Sequence, residues 1–249
     1  MSLVREFAPS QFCSGVTMQS HRWIRVDSPG GGTFEAYLSL PPAGRGPGIV
    51  LVQEIFGVNA HIRGVADQYA MDGFVVIAPD IFWRQSPRVE LGYDDLSVAQ
   101  GRTLKAGLDF SSAVADLSAT ATALSRRPEL EGKVAVLGYC MGGLLAYLLA
   151  THGGVDAAVC YYGAGIDSRL EQSSGIKCPM LFHFGEKDDL IPASAIRSVS
   201  KAFAHQADAW VQTYPGVDHG FNCWSRSAYD QQAAALARGR TLEFLSIYL

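Results

Sequence analysis

The chain has 249 residues, 48% of them apolar and 18% charged, with a formal net charge of −4. That length admits one large domain or two small ones, and so mild an acidic balance, with no Lys- or Arg-rich run, excludes the electrostatic footprint of a nucleic-acid binder. The five cysteines (Cys13, Cys140, Cys160, Cys178 and Cys223) are scattered and form no C-x-x-C pair, so neither a disulfide framework nor a zinc site is implied.

Arg22–Ser28 and Thr33–Leu40 read as two strands joined by Gly30–Gly32, with Phe34, Ala36, Leu38 and Leu40 on one face of the second at period two. Residues 41–47 are a Pro/Gly-rich loop, and "GIVLVQ" (48–53) is a continuous apolar run that predicts a strand buried on both faces. Asn59 is placed to cap a helix whose apolar positions are Ile62, Val65, Ala66, Tyr69 and Ala70, ended by Gly73. "FVVIAPD" is a second buried strand. Residues 81–110 are polar and predict a loop with a helical part, and Val114, Leu117, Ala121 and Leu124 form a helical stripe ahead of Pro128. Strands at 133–137, 156–161, 179–184 and 209–214 then alternate with helices at 141–151, about 193–205 and about 228–246. Buried strands alternating with helices predict an α/β fold, with a mostly parallel sheet covered on both faces. No repeat or linker divides the chain, so a single domain over 1–249 is expected.

Ligands of open parallel sheets bind beyond the carboxyl ends of the strands. The residues that follow these strands are Glu54, then Asp80 and Arg84, then Cys140, then "GEKDD", then "PGVDHGF". One edge of the sheet therefore gathers acids, a thiol and a histidine. Cys140 sits in "GYCMG", the pattern of a strand-to-helix nucleophile turn with cysteine in the place of serine. Nucleophile, acid and base follow in the order Cys140, Asp188 or Asp189, and His219. A thiol must ionise to attack a carbonyl. An imidazole can take its proton, and a carboxylate can fix the tautomer of that imidazole. The N–H of Met141 adjoins the nucleophile at a helix start, where a developing oxyanion would be stabilised. His183, inside an apolar strand, reads as a hydrogen-bonded core residue.

The motifs "QEIFGVNAHIR", "VLGYCMGG", "FHFGEKDDLIP" and "DHGF", in this order, resemble the dienelactone hydrolase (carboxymethylenebutenolidase) family, cysteine members of the α/β-hydrolase fold. The resemblance runs from about Thr33 to Leu245. It implies Cys140 as nucleophile, Asp188 rather than Asp189 as the orienting acid, His219 as base, and Glu54 as the group that helps generate the thiolate. It also implies an oxyanion hole from the N–H groups of Ile55 and Met141, and a substrate-carboxylate contact from Arg84 in "FWRQSP". Where well-known members carry a second carboxylate-binding arginine, this chain has Cys223, with Arg226 three residues on as a possible substitute; Tyr162 is a candidate pocket-lining residue. The implied reaction opens an enol-lactone through an acyl-enzyme thioester, without cofactor or metal. The alternatives are hydrolysis of another lactone, ester or thioester, or a non-catalytic binding protein whose thiol acts as a sensor. Residues 1–16 lack the apolar stretch of a secretory leader, and no run reaches the roughly 20 apolar residues of a spanning helix. The expectation is a cytoplasmic monomer or weak homo-oligomer, with a small-molecule substrate and neither a membrane nor a nucleic-acid partner.

Overall fold

A computed structural model describes residues 22–249; Cys13 and the 1–16 segment lie outside the described residues. Its elements in chain order are β1 (Arg22–Asp27), β2 (Thr33–Ser39), β3 (Gly46–Val52), α1 (Ala60–Met71), β4 (Val75–Pro79), α2 (Asp95–Ala106), α3 (Phe110–Ser125) and β5 (Leu130–Tyr139). There follow α4 (Met141–His152), β6 (Ala157–Tyr161), β7 (Met180–Gly185), α5 (Ala193–Phe203), β8 (Ala209–Tyr214) and α6 (Gln231–Tyr248). The strands form one eight-stranded sheet in the order β1-β2-β4-β3-β5-β6-β7-β8. From β4 to β8 every pairing is parallel, while β1–β2 and β2–β4 are antiparallel. This is the α/β-hydrolase fold.

The parallel strands are apolar throughout because helices cover both of their faces. Every residue of β4, β6 and β7 is buried. On one face α1 and α6 lie together, tied by the ion pair between Arg238 and Asp72; on the other, α3 packs on α4 and both cover β5. Asn59 caps α1 as its sequence position predicts, its side chain accepting from the Ile62 N–H at 3.2 Å. Among the described residues, no helix is long and apolar enough to cross a membrane.

Three local features go beyond the sequence reading. In β2, Tyr37 and Ser39 are buried as well as Phe34, Ala36 and Leu38, because α1 covers the second face, where the Ser39 hydroxyl donates to Asp67 Oδ1 at 2.8 Å, while Leu40 falls beyond the strand's end. A 3₁₀ segment at Asp167–Gly175 was not anticipated; its polar sequence carries no apolar stripe to announce it. The α3 stripe contains a buried carboxylate, Asp116, on the core side of the helix. Elsewhere His183 is the core residue the sequence implied, with its ring nitrogens hydrogen-bonded to the hydroxyls of Tyr214 (2.8 Å) and Thr241 (3.0 Å).

Candidate active site

β5 runs straight into α4 with only Cys140 between them. The reversal forces Cys140 to φ 55° and ψ −115°, a conformation that costs a side-chain-bearing residue on the order of 1–3 kcal/mol. Neighbouring glycines permit the turn. A Cβ on Gly142 would strike the carbonyl oxygens of Val52 and Gln53, and one on Gly143 the carbonyl oxygen of Tyr161. The Cys140 N–H donates to that same Tyr161 oxygen at 3.0 Å, which pins the turn to the end of β6. Met141 opens α4, so the thiol stands at the positive end of a helix dipole.

The loops after β7 and β8 are held together by main-chain bonds, from the Lys187 N–H to the Val217 oxygen (2.9 Å) and from the Glu186 N–H to the Tyr214 oxygen (3.0 Å). Between them His219 Nδ1 donates to Asp188 Oδ2 at 2.7 Å, both side chains being buried. Asp188 Oδ1 accepts the Leu190 N–H at 2.8 Å, which orients the carboxylate. Asp189 is exposed, so the geometry selects Asp188 from the pair. The Nε2 of His219 makes no closed hydrogen bond, yet lies within electrostatic reach of the Cys140 sulfur. Burial opposes a charged ring here, but the Cys140 charge and the Asp188 hydrogen bond outweigh it and hold the imidazole pKa up at about 10.

Glu54 follows β3 and is 1% exposed, with neither carboxylate oxygen hydrogen-bonded to a described residue. Its nearest cation is Arg226, whose Nη1 lies 3.6 Å from Oε1. Burial raises the Glu54 pKa above the usual carboxylate range, and the charges of Arg226 and His219 oppose that rise. The Arg226 guanidinium also lies over the Phe56 ring, 5.9 Å from its centroid. Tyr162 presents its ring edge-to-face to His219 at 5.0 Å. Its hydroxyl is buried and unpaired among the described residues. Burial, with Glu54, Cys223 and Cys140 nearby, pushes that phenol's pKa well up, so it stays a neutral donor. Ile55 follows Glu54 and packs its main-chain oxygen and side chain toward Gly101 of α2.

Arg84 has protein partners. Its Nη1 pairs with Asp116 Oδ2, and its Nη2 donates to Asp116 Oδ1 at 3.2 Å and to Ser28 Oγ at 2.8 Å. The guanidinium also lies 4.3 Å from the Trp83 ring centroid. The buried Asp116 carboxylate is thus a protein partner of the fork for which the sequence resemblance implies a substrate contact. The cation beside Glu54 is Arg226. Sequence reasoning also missed His61, buried on α1 and edge-on to Trp224 at 4.1 Å. The signal was present: His61, Val65 and Tyr69 lie at i, i+4 and i+8 on one helix face. Cys223, noted only as a departure, is fully buried.

The model of the dienelactone hydrolase family matches residues 34–249. A carboxymethylenebutenolidase of Pseudomonas sp. (strain P51) is 38% identical over 224 residues, covering 89% of this chain and 93% of the relative. One from Pseudomonas putida is 37% identical, covering 90% and 95%. A Klebsiella pneumoniae crystal structure described as a candidate dienelactone hydrolase superposes with a TM-score of 0.79 at 27% identity, covering 92% of this chain and all of that one.

Proposed function

The chain belongs to the dienelactone hydrolase family, and from that premise we propose that it opens an enol-lactone by attack of the Cys140 thiolate on the ring carbonyl. The reading is carried by one juxtaposition: a cysteine at φ 55° on a strand-to-helix turn, in reach of a histidine bonded to Asp188 at 2.7 Å. Glu54 takes the thiol proton when substrate arrives, and Arg226 stabilises its carboxylate form until then. The attacking sulfur bonds to the carbonyl carbon, and the oxyanion is met by the N–H groups of Ile55 and Met141. Expulsion of the enolate leaves an acyl-enzyme thioester. Once the sulfur is acylated, the thiolate charge that held the His219 pKa up is gone, so the imidazole takes a proton from water, whose oxygen attacks the thioester; the acid leaves, the proton on Glu54 goes to the expelled enolate, and the proton on His219 returns to the Cys140 sulfur. Asp188 keeps the imidazole in the productive tautomer throughout. Tyr162 donates to a substrate oxygen.

Turnover of a dienelactone tests this directly. Cys140→Ala loses measurable turnover while keeping the wild-type circular dichroism spectrum. Glu54→Gln lowers kcat much more than it raises KM, because an amide cannot receive the thiol proton. If Cys140→Ala retains a substantial fraction of kcat, the nucleophile assignment fails. A second reading, an ester or thioester hydrolase whose substrate has no carboxylate, is favoured by the commitment of Arg84 to Asp116. A neutral aryl ester turned over with a lower KM than a carboxylate-bearing lactone supports that reading.

A further inference from the structure

Behind Glu54 the fold gathers two groups for which the proposed hydrolysis has no use. His61 comes from the first turn of α1 and Cys223 from the loop after His219. Together with Glu54 they bring one imidazole nitrogen, one sulfur and one carboxylate oxygen within 4.8 Å of one another, all three residues being buried. Neither nitrogen of His61 and neither oxygen of Glu54 has a hydrogen-bond partner among the described residues. A buried polar atom without a hydrogen-bond partner ordinarily costs about 1–3 kcal/mol, and one such nitrogen of His61 and one such oxygen of Glu54 belong to this cluster.

We propose that Glu54, His61 and Cys223 form a site for a thiophilic divalent cation, zinc by the chemistry of its donors. Nitrogen, sulfur and carboxylate oxygen are the donor types of zinc, whose tetrahedral geometry sets ligand atoms roughly 3.3–3.6 Å apart. The cluster therefore closes by rotations of side chains already in place. Three protein ligands leave a fourth position for water or a small anion. The charges balance: carboxylate and thiolate offset the dication, and the thiol proton passes to solvent as the sulfur–metal bond forms. Arg226 is the competing cation, at 3.6 Å from Glu54 Oε1 with its side chain a quarter exposed; it swings toward solvent when the metal enters. Tyr93 and Tyr162, both with Glu54 and Cys223 nearby, keep neutral hydroxyls. Metal here would occupy the carboxylate that the proposed hydrolysis needs as proton acceptor, so the site is inhibitory. The binding itself does not rest on the hydrolytic reading; the inhibition does.

Titration of the purified full chain with Co²⁺ tests the site. The expected result is one ion per chain, with the near-ultraviolet charge-transfer absorption of a thiolate ligand and intense visible bands of four-coordinate cobalt, all displaced by Zn²⁺. Cys223→Ser abolishes the charge-transfer band, His61→Gln weakens binding by at least the ~10–100-fold that loss of a mere outer-shell partner costs, and Cys140→Ala leaves the band intact. A band that survives Cys223→Ser, a band that disappears with Cys140→Ala, or no stoichiometric binding at millimolar Co²⁺ overturns the proposal. Binding that follows His61 and Cys223 but leaves lactone turnover untouched supports the site and counts against Glu54 as proton acceptor.

Discussion

Replacing Arg226 by methionine keeps much of the apolar stem and removes the charge beside Glu54. Two unit charges 3.6 Å apart attract by about 1 kcal/mol in water and about 4.6 kcal/mol at an effective dielectric near 20. The Glu54 side chain is 1% exposed and that of Arg226 25%, so partial screening brings the interaction to roughly 2–3 kcal/mol. At 1.36 kcal/mol per pKa unit, its loss raises the Glu54 pKa by about 1.5–2 units. If an ionised Glu54 is the thiol's proton acceptor, the acidic limb of the kcat/KM profile moves up by that amount. Activity on the acidic side of the wild-type limb then falls by the full shift, about 30–100-fold, and recovers in alkali. Arg226→Lys keeps the charge and holds the limb within about half a unit of wild type, the change expected of an ion pair with altered geometry. The assay is initial-rate kinetics on one lactone from acid to alkali at fixed ionic strength. An acidic limb unmoved in Arg226→Met refutes the reasoning, as does a uniform rise in KM with no change in the profile.

Three further outcomes follow from the same geometry. Because only glycine relaxes at φ 55°, Cys140→Gly is more stable than Cys140→Ala by about 1–2 kcal/mol in denaturant melts, despite glycine's greater chain entropy; equal stabilities count against strain at the turn. Folded His219 binds its proton up to about 10, well above its ordinary 6.5. The charged pair's contribution to stability is therefore full below pH 6.5, erodes as pH rises, and is gone above about 10; His219→Gln should flatten that decline in the melting temperature, and an identical slope in both proteins contradicts the pairing. Arg84→Met leaves the buried Asp116 charge without its cation and lowers stability by roughly 2–4 kcal/mol, with KM for a carboxylate-bearing lactone unchanged; a large KM increase in a stable variant restores Arg84 to the substrate site.

Local pattern and chain order settled much of this protein without coordinates. The β-branched runs and the helical stripes each report burial along a single element, so the strands and helices were legible to within a few residues. The elbow was legible because its demands are local: a tight strand-to-helix turn needs glycines beside the nucleophile wherever it occurs. Side-chain partnership is different, because it depends on which residues distant in the chain converge. The partners of Arg84 could not be read from the sequence, because it is the packing of α3 beside β1 and β4 that brings Asp116 and Ser28 to its guanidinium. Asp188 and Asp189 are equivalent by composition, and only the main-chain bonds between the β7 and β8 loops turn the first toward His219. His61 and Cys223 are 162 positions apart in the chain, so no spacing rule links them. They meet at Glu54 because α1 and the loop after β8 close over the same end of β3, which is decided by the order of strands in the sheet.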